Sequence, residues 1–205
     1  MIVGVTGGVG TGKSTILQIL KDEYNAAIIM ADDVARELME PGQASYNAIV
    51  DYFGTEILVG GAGSSIDRGK LASVVFSDPD KLSVLNLMTH PIVRIRILEL
   101  IDEYQRQNHN LIIVESAILI QAHYLDFIDE LWVVYADYNT RVKRLTASRG
   151  YSVEKINSII NNQLSDEEMK RYASFVIDNT GTIDQVKKQL ADYLQRRGSD
   201  ARDTY

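Results

Sequence analysis

The stretch Gly7-Gly8-Val9-Gly10-Thr11-Gly12-Lys13-Ser14 fits the pattern G-x-x-x-x-G-K-[ST], and the reading of the whole chain turns on it. It follows a β-branched run, Ile2–Thr6 (IVGVT), and precedes residues with helical spacing, Ile16, Leu17 and Leu20. Glycines allow successive backbone N–H groups to point into one concavity, because a Cβ would block both the required dihedral angles and the approach of phosphate oxygens. The helix that follows adds the positive end of its dipole. In this arrangement Lys13 reaches the β and γ phosphates of a nucleotide and Ser14 offers its hydroxyl to Mg²⁺. Gly8, Gly10, Thr11, Gly12 and Thr15 complete the expected nucleotide contacts. The plainer reading is a helix entered through a glycine turn; the strand and helix lie where phosphate binding needs them, which favours the nucleotide.

Four more short apolar runs read as buried parallel strands: Ala26–Met30, Leu111–Glu115, Leu131–Tyr135 and Phe175–Asp178. Each is followed by a turn and helical spacing, which gives an α/β chain with crossovers. Glu115, ending the third of the five strands, is the expected acidic partner of the metal. Between the second and third strands lie about eighty residues with almost no strand signal. There, Asp32 or Asp33 can cap a helix through Val34, Leu38 and Met39, ending at Pro41-Gly42. Ala44–Phe53 is a second helix, and a glycine- and serine-rich loop follows. Asp78-Pro79 opens a third, with proline at the first helical position where its missing N–H costs nothing. His90-Pro91 is expected to break it. Beyond the break Ile95, Leu98, Ile101 and Tyr104 form an apolar stripe. A second insertion, from Asp137 to about Met169, holds Arg141, Lys143, Arg144 and Arg149 in quick succession. The last helix is expected over Ile183 to about Arg196, with Val186, Leu190, Tyr193 and Leu194 inward and residues 197–205 as a flexible tail.

The rest of the composition narrows the function. The chain has 205 residues and no cysteine, which removes disulfides, zinc thiolates and thiol nucleophiles. A net charge of −7 argues against nucleic acid as a partner, since duplex binding normally needs a basic face. No apolar run approaches the ~20 residues that span a bilayer, and no signal peptide is readable, so the expectation is a cytoplasmic protein with no membrane partner.

A phosphate loop does not itself say whether the γ-phosphate goes to water or to a second substrate. A guanine-reading N/T-K-x-D is missing after the late strand, where the chain reads Asp178-Asn179-Thr180-Gly181. Two helical insertions around a small sheet suit an enzyme that closes over two substrates and excludes water. In the segments VGVTGGVGTGKST, ADDVARELMEPG, FG, IDRGKLASVVFSD, THPIV, Gln163 and VIDNTGT, in that order, the sequence resembles the dephospho-CoA kinases over nearly its whole length.

The resemblance implies a three-layer P-loop NTPase fold of the nucleoside-monophosphate-kinase kind, with a five-stranded parallel sheet, in a single domain over residues 1–205. It makes residues 34–107 a helical CoA-binding subdomain and 137–169 a lid over ATP. The implied reaction moves a phosphoryl group from Mg-ATP to the 3′-hydroxyl of the dephospho-CoA ribose, in a monomer. Asp32 matches the acid that accepts the hydroxyl proton, although a helix cap is the bland alternative for the Asp32-Asp33 pair. Arg144 matches an arginine that shares the γ-phosphoryl charge with Lys13, and Asn179 falls in the matching nucleotide loop. Arg149 stands one residue from the usual second arginine, Arg141 replaces a usual lid glutamine, and Ser174 replaces a frequent acid. Other readings kept open are a different small-metabolite or nucleoside-monophosphate kinase and a non-catalytic ATP-binding regulatory module.

Overall fold

The structure is a computed structural model that describes residues 1–200, with side chains described through Arg197. Five strands form one sheet: β1 (Ile2–Thr6), β2 (Ala27–Met30), β3 (Ile112–Glu115), β4 (Glu130–Tyr135) and β5 (Phe175–Asp178), in the order β2-β3-β1-β4-β5. β1 runs parallel to β3 and β4, pairing Ile2 with Ile112 and Val3 with Glu130, and β4 runs parallel to β5. Val3, Val5, Ile113, Val114 and Trp132 are fully buried, as expected for strands covered on both faces. All five runs read from the sequence are strands, shifted by at most one residue at an end.

The chain divides into two compact units, residues 1–28 with 109–205, and residues 29–108. The first holds β1, β3, β4, β5 and five helices among the described residues: α1 (Lys13–Tyr24), then α6 (Tyr138–Arg149), α7 (Val153–Asn161), α8 (Asp166–Tyr172) and α9 (Ile183–Asp200). Local chemistry sets their starts. The Asp137 carboxylate accepts from Thr140 N, Ser152 from Lys155 N, and Ser165 and Glu168 form a reciprocal capping box at α8. α9 buries Val186 and Leu190 as expected, but it runs on to Asp200, so the tail expected from 197 is helical for its first four residues. Residues 201–205 lie outside the described residues.

The second unit is helical: α2 (Ala31–Leu38), α3 (Ala44–Phe53), α4 (Arg68–Phe76) and α5 (Pro79–Arg106). Its core gathers Tyr46, Ile49, Ile57, Leu58, Ile66, Leu71 and Val75. The glycine-rich loop is closed by one antiparallel bridge, Leu58 to Ile66, and Tyr46 Oη donates to Ser64 O at 2.7 Å.

Three expectations fail in this unit. Neither Asp32 nor Asp33 caps α2; the cap position is Met30, which gives no side-chain bond, and both aspartates occupy the first turn. There they still favour the helix through its dipole. His90-Pro91 does not break α5, which runs unbroken for 28 residues with Pro91 inside it. Proline removes one backbone bond, that to Leu87 O, yet α5 packs on α2, α3 and α4 along its length, and this packing holds the helix through the defect. Continuous winding also moves the buried stripe. Val93, Ile97 and Ile101 are inside, whereas Ile95 is 58% and Leu98 36% exposed. No helix among the described residues is long and apolar enough to cross a membrane.

Candidate active site

The loop between β1 and α1 is built as its sequence demands. Gly10 and Gly12 have φ of 79° and 88°, a region that L side chains rarely adopt. Gly12 stands at the cap position of α1 and supplies no side-chain cap, so the start of this helix presents backbone N–H groups to whatever anion is bound. Thr11 is fully buried, and its hydroxyl donates to Gly8 O at 2.9 Å. Its part is therefore to hold the loop in shape from within. Lys13 Nζ donates to Gly7 O at 2.8 Å and lies 3.8 Å from Glu115 Oε1. Ser14 is exposed in the first turn of α1, with Thr15 half-buried beside it.

The outside of the loop is packed by protein. A Cβ on Gly8 would come within 2.5 Å of Arg141 Nη2, one on Gly10 within 2.9 Å of Leu145 Cδ1, and one on Gly12 would run into Asn179 Nδ2. Gly10 and Gly12 therefore answer to two demands, backbone shape on the ligand side and close approach of side chains behind, and Gly8 to the second alone.

Arg144 and Asn179 form part of this backing. Asn179 Nδ2 donates to Thr11 O at 2.7 Å; Arg144 Nη1 donates to the same carbonyl at 3.2 Å, and Arg144 Nη2 donates to Asn179 O at 2.8 Å. Asn179 is buried, so its side chain supports the loop, and Arg144 links α6 to both β1's loop and the turn after β5. Arg149 ends α6, 5.8 Å from the Tyr151 ring. Arg141 is the side chain whose weight the sequence did not reveal: it is only 4% exposed and donates to Val9 O. A charged residue in a basic run reads as solvated, and only its contact across 132 positions of chain shows otherwise.

β1, β3, β4 and β5 are parallel, so the groups that follow them, Gly7–Ser14, Glu115, Asp137 and Asn179, gather at one edge of the sheet, where open α/β sheets bind ligands. Glu115 is buried at 5% exposure. Asp32 belongs to the helical unit, two residues beyond β2, and is exposed. Among the described residues no three histidine or carboxylate groups cluster to hold a metal. A small hard cation here would rest on the Ser14 hydroxyl and the phosphates of a bound nucleotide, with Glu115 behind, which is the ordinary donor set for Mg²⁺ in such sites.

A parallel sheet, a glycine loop capped by lysine and serine at the start of a helix, and arginines on the helix after β4 define a P-loop protein of the kinase-like α/β class. The family model for dephospho-CoA kinase matches residues 1–185, and the chain belongs to that family. A dephospho-CoA kinase from Carboxydothermus hydrogenoformans is 38% identical over 195 residues, covering 95% of this chain and 93% of its own. A solved structure from Thermus thermophilus superposes with a TM-score of 0.80 at 30% identity, covering 96% of this chain and 97% of that one. A dephospho-CoA kinase structure from Campylobacter jejuni shares the fold at a TM-score of 0.71 and 23% identity, over 98% of both chains. The protein is thus a kinase, a phosphotransferase of the coenzyme A biosynthetic kind that uses ATP.

Proposed function

We propose that this protein transfers the γ-phosphoryl group of Mg-ATP to the 3′-hydroxyl of the ribose of dephospho-CoA, giving coenzyme A and ADP. The observation that carries the reading is the intact phosphate cradle, with Lys13 Nζ held between Gly7 O and the Glu115 carboxylate, in a chain of this family. In the reaction the bond from the γ-phosphorus to the β–γ bridging oxygen breaks and one to the ribose oxygen forms. The Asp32 carboxylate receives the hydroxyl proton.

Such a transition state is loose, and an alcohol keeps its proton until bonding is nearly complete. An ordinary carboxylate can therefore serve, because its task is to orient the oxygen and take the proton late. Asp32 is suited to this by exposure and by having no capping duty. Lys13 spreads charge from the γ-phosphoryl oxygens, and Arg144 reaches them by exchanging its carbonyl partners. The Ser14 hydroxyl, with Glu115 behind it, would hold Mg²⁺, which would supply positive charge to neutralise the phosphates. The backbone N–H groups from Gly10 to Ser14 hold the triphosphate, residues 34–107 hold dephospho-CoA, and residues 137–169 close over ATP and exclude water. The reading includes a monomer at work in the cytoplasm.

An ADP-release assay with purified protein, Mg²⁺ and ATP tests the substrate. Turnover is expected with dephospho-CoA, and turnover restricted to a nucleoside monophosphate or a small polyol would overturn the assignment.

A further inference from the structure

The peptide groups on both sides of Val9, at the apex of the phosphate loop, are held by the segment that follows β4. Val9 N donates to Gln163 Oε1 at 2.9 Å, and Val9 O accepts from Arg141 Nε at 2.8 Å. Arg141 Nη1 in turn donates to both Asp166 oxygens, each at 3.3 Å. Gln163 lies in the short link between α7 and α8 and Asp166 opens α8, so the bonds close a ring: loop apex, α6, the start of α8, and back. The guanidinium is buried with its fork filled by one carbonyl and one carboxylate, and its other nitrogen lies against Gly8. Its Nε and Nη1 are spent on Val9 and Asp166, so turning the guanidinium toward a nucleotide would break the ring and leave the Asp166 carboxylate without this partner.

The geometry points to Arg141 as a positioning residue for ATP: it acts through the Val9 carbonyl, with Gln163 on the Val9 N–H, to hold the loop in its phosphate-binding shape before nucleotide arrives. Ordering eight loop residues on binding would otherwise subtract from affinity. Because the ring spends both the N–H and the C=O of Val9 on protein, it fixes the apex and leaves Gly10 to Ser14 to meet phosphate. The same ring fastens the α7–α8 link to the loop, so closure of the 137–169 segment is anchored at that end. This inference rests on the kinase reading above and refines how its ATP site is prepared.

The test uses the full chain and measures ATP affinity by calorimetry together with steady-state KM and kcat. Arg141→Lys keeps the charge but loses the Nε–H, and it is expected to raise Kd and KM for ATP about tenfold, as Arg141→Ala does, since a charge-assisted hydrogen bond of this kind is lost in both. The KM for dephospho-CoA and kcat should stay within about threefold. Gln163→Leu should act in the same direction, and the double variant Arg141→Lys/Gln163→Leu should fall short of the sum of the single effects, because both act on one peptide unit. A kcat loss of a hundredfold or more with ATP affinity unchanged would make Arg141 a direct charge on the transferring group and overturn the inference. Full additivity, or wild-type ATP affinity in the lysine variant, would overturn it as well. A wild-type chain that binds ATP but phosphorylates no dephospho-CoA would sink the proposed function and leave the calorimetric comparison decisive for the ring.

Discussion

At the scale of single residues the phosphate loop is constrained from both sides, and its glycines can be ranked. Gly12 combines a φ of 88° with a neighbour, Asn179, that is itself buried and bonded to Thr11 O, so the obstacle cannot swing away. Gly12→Ala is expected to lower stability by roughly 2–4 kcal/mol, the sum of a left-handed backbone and an overpacked contact, and to abolish ATP binding. A urea titration with parallel calorimetry checks both. Lys13→Ala should lose ~10²–10³ in kcat, read by the ADP-release assay. Asp32→Asn should keep ATP affinity and lose most turnover. Full activity in that variant would send the proton elsewhere.

At the scale of elements, α5 is the informative case. Pro91 inside a 28-residue helix deprives Leu87 O of its backbone donor, and Leu87 is 73% exposed there. Pro91→Ala is expected to raise the urea midpoint, by up to about 3 kcal/mol in stability, with an unchanged denaturant slope. Burial holds the imidazole of His90, just before it, below its ordinary pKa of 6.5. A depressed histidine contributes stability that is present above its unfolded pKa and is lost as pH falls through the folded value. Acidification below 6.5 should therefore weaken the helical unit, and His90→Gln should flatten the pH dependence of the melting temperature in that range.

At the scale of the whole molecule, the far end of the sheet from the loop is closed by α9. Glu130, buried at the start of β4, accepts from Trp132 Nε1 at 2.8 Å and Tyr193 Oη at 2.9 Å, and it pairs with Arg197. The Trp132 ring meets Phe175 and Tyr193 edge-on at 5.5 Å, and the latter two stack at 4.0 Å. Burial, and then the Glu130 carboxylate, push the Tyr193 phenol up to about 12 from 10.0. The sign follows: the folded state prefers the neutral phenol, so this stability is complete below pH 10 and is lost as pH rises toward 12. Trp132 is the chain's one tryptophan, so its fluorescence reads this corner directly. An alkaline transition in that signal is expected between about pH 10 and 12, and Tyr193→Phe should lessen the loss of stability there.

The sequence by itself determined the five strands, the phosphate loop and the helix start at Asp78-Pro79, because each rests on a local rule: buried runs, backbone freedom at glycine, and a proline at the first helical position where no N–H is needed. Only tertiary structure decided that α5 passes through Pro91, that its inward face is Val93, Ile97 and Ile101, and that Asp32 and Asp33 cap nothing. It also decided that Arg141 lies buried against Val9. The reason is common to all of these. A helix end, a buried face or a solvated charge is settled by what packs against it, and those partners stand tens of positions away in the chain, beyond the reach of any periodicity.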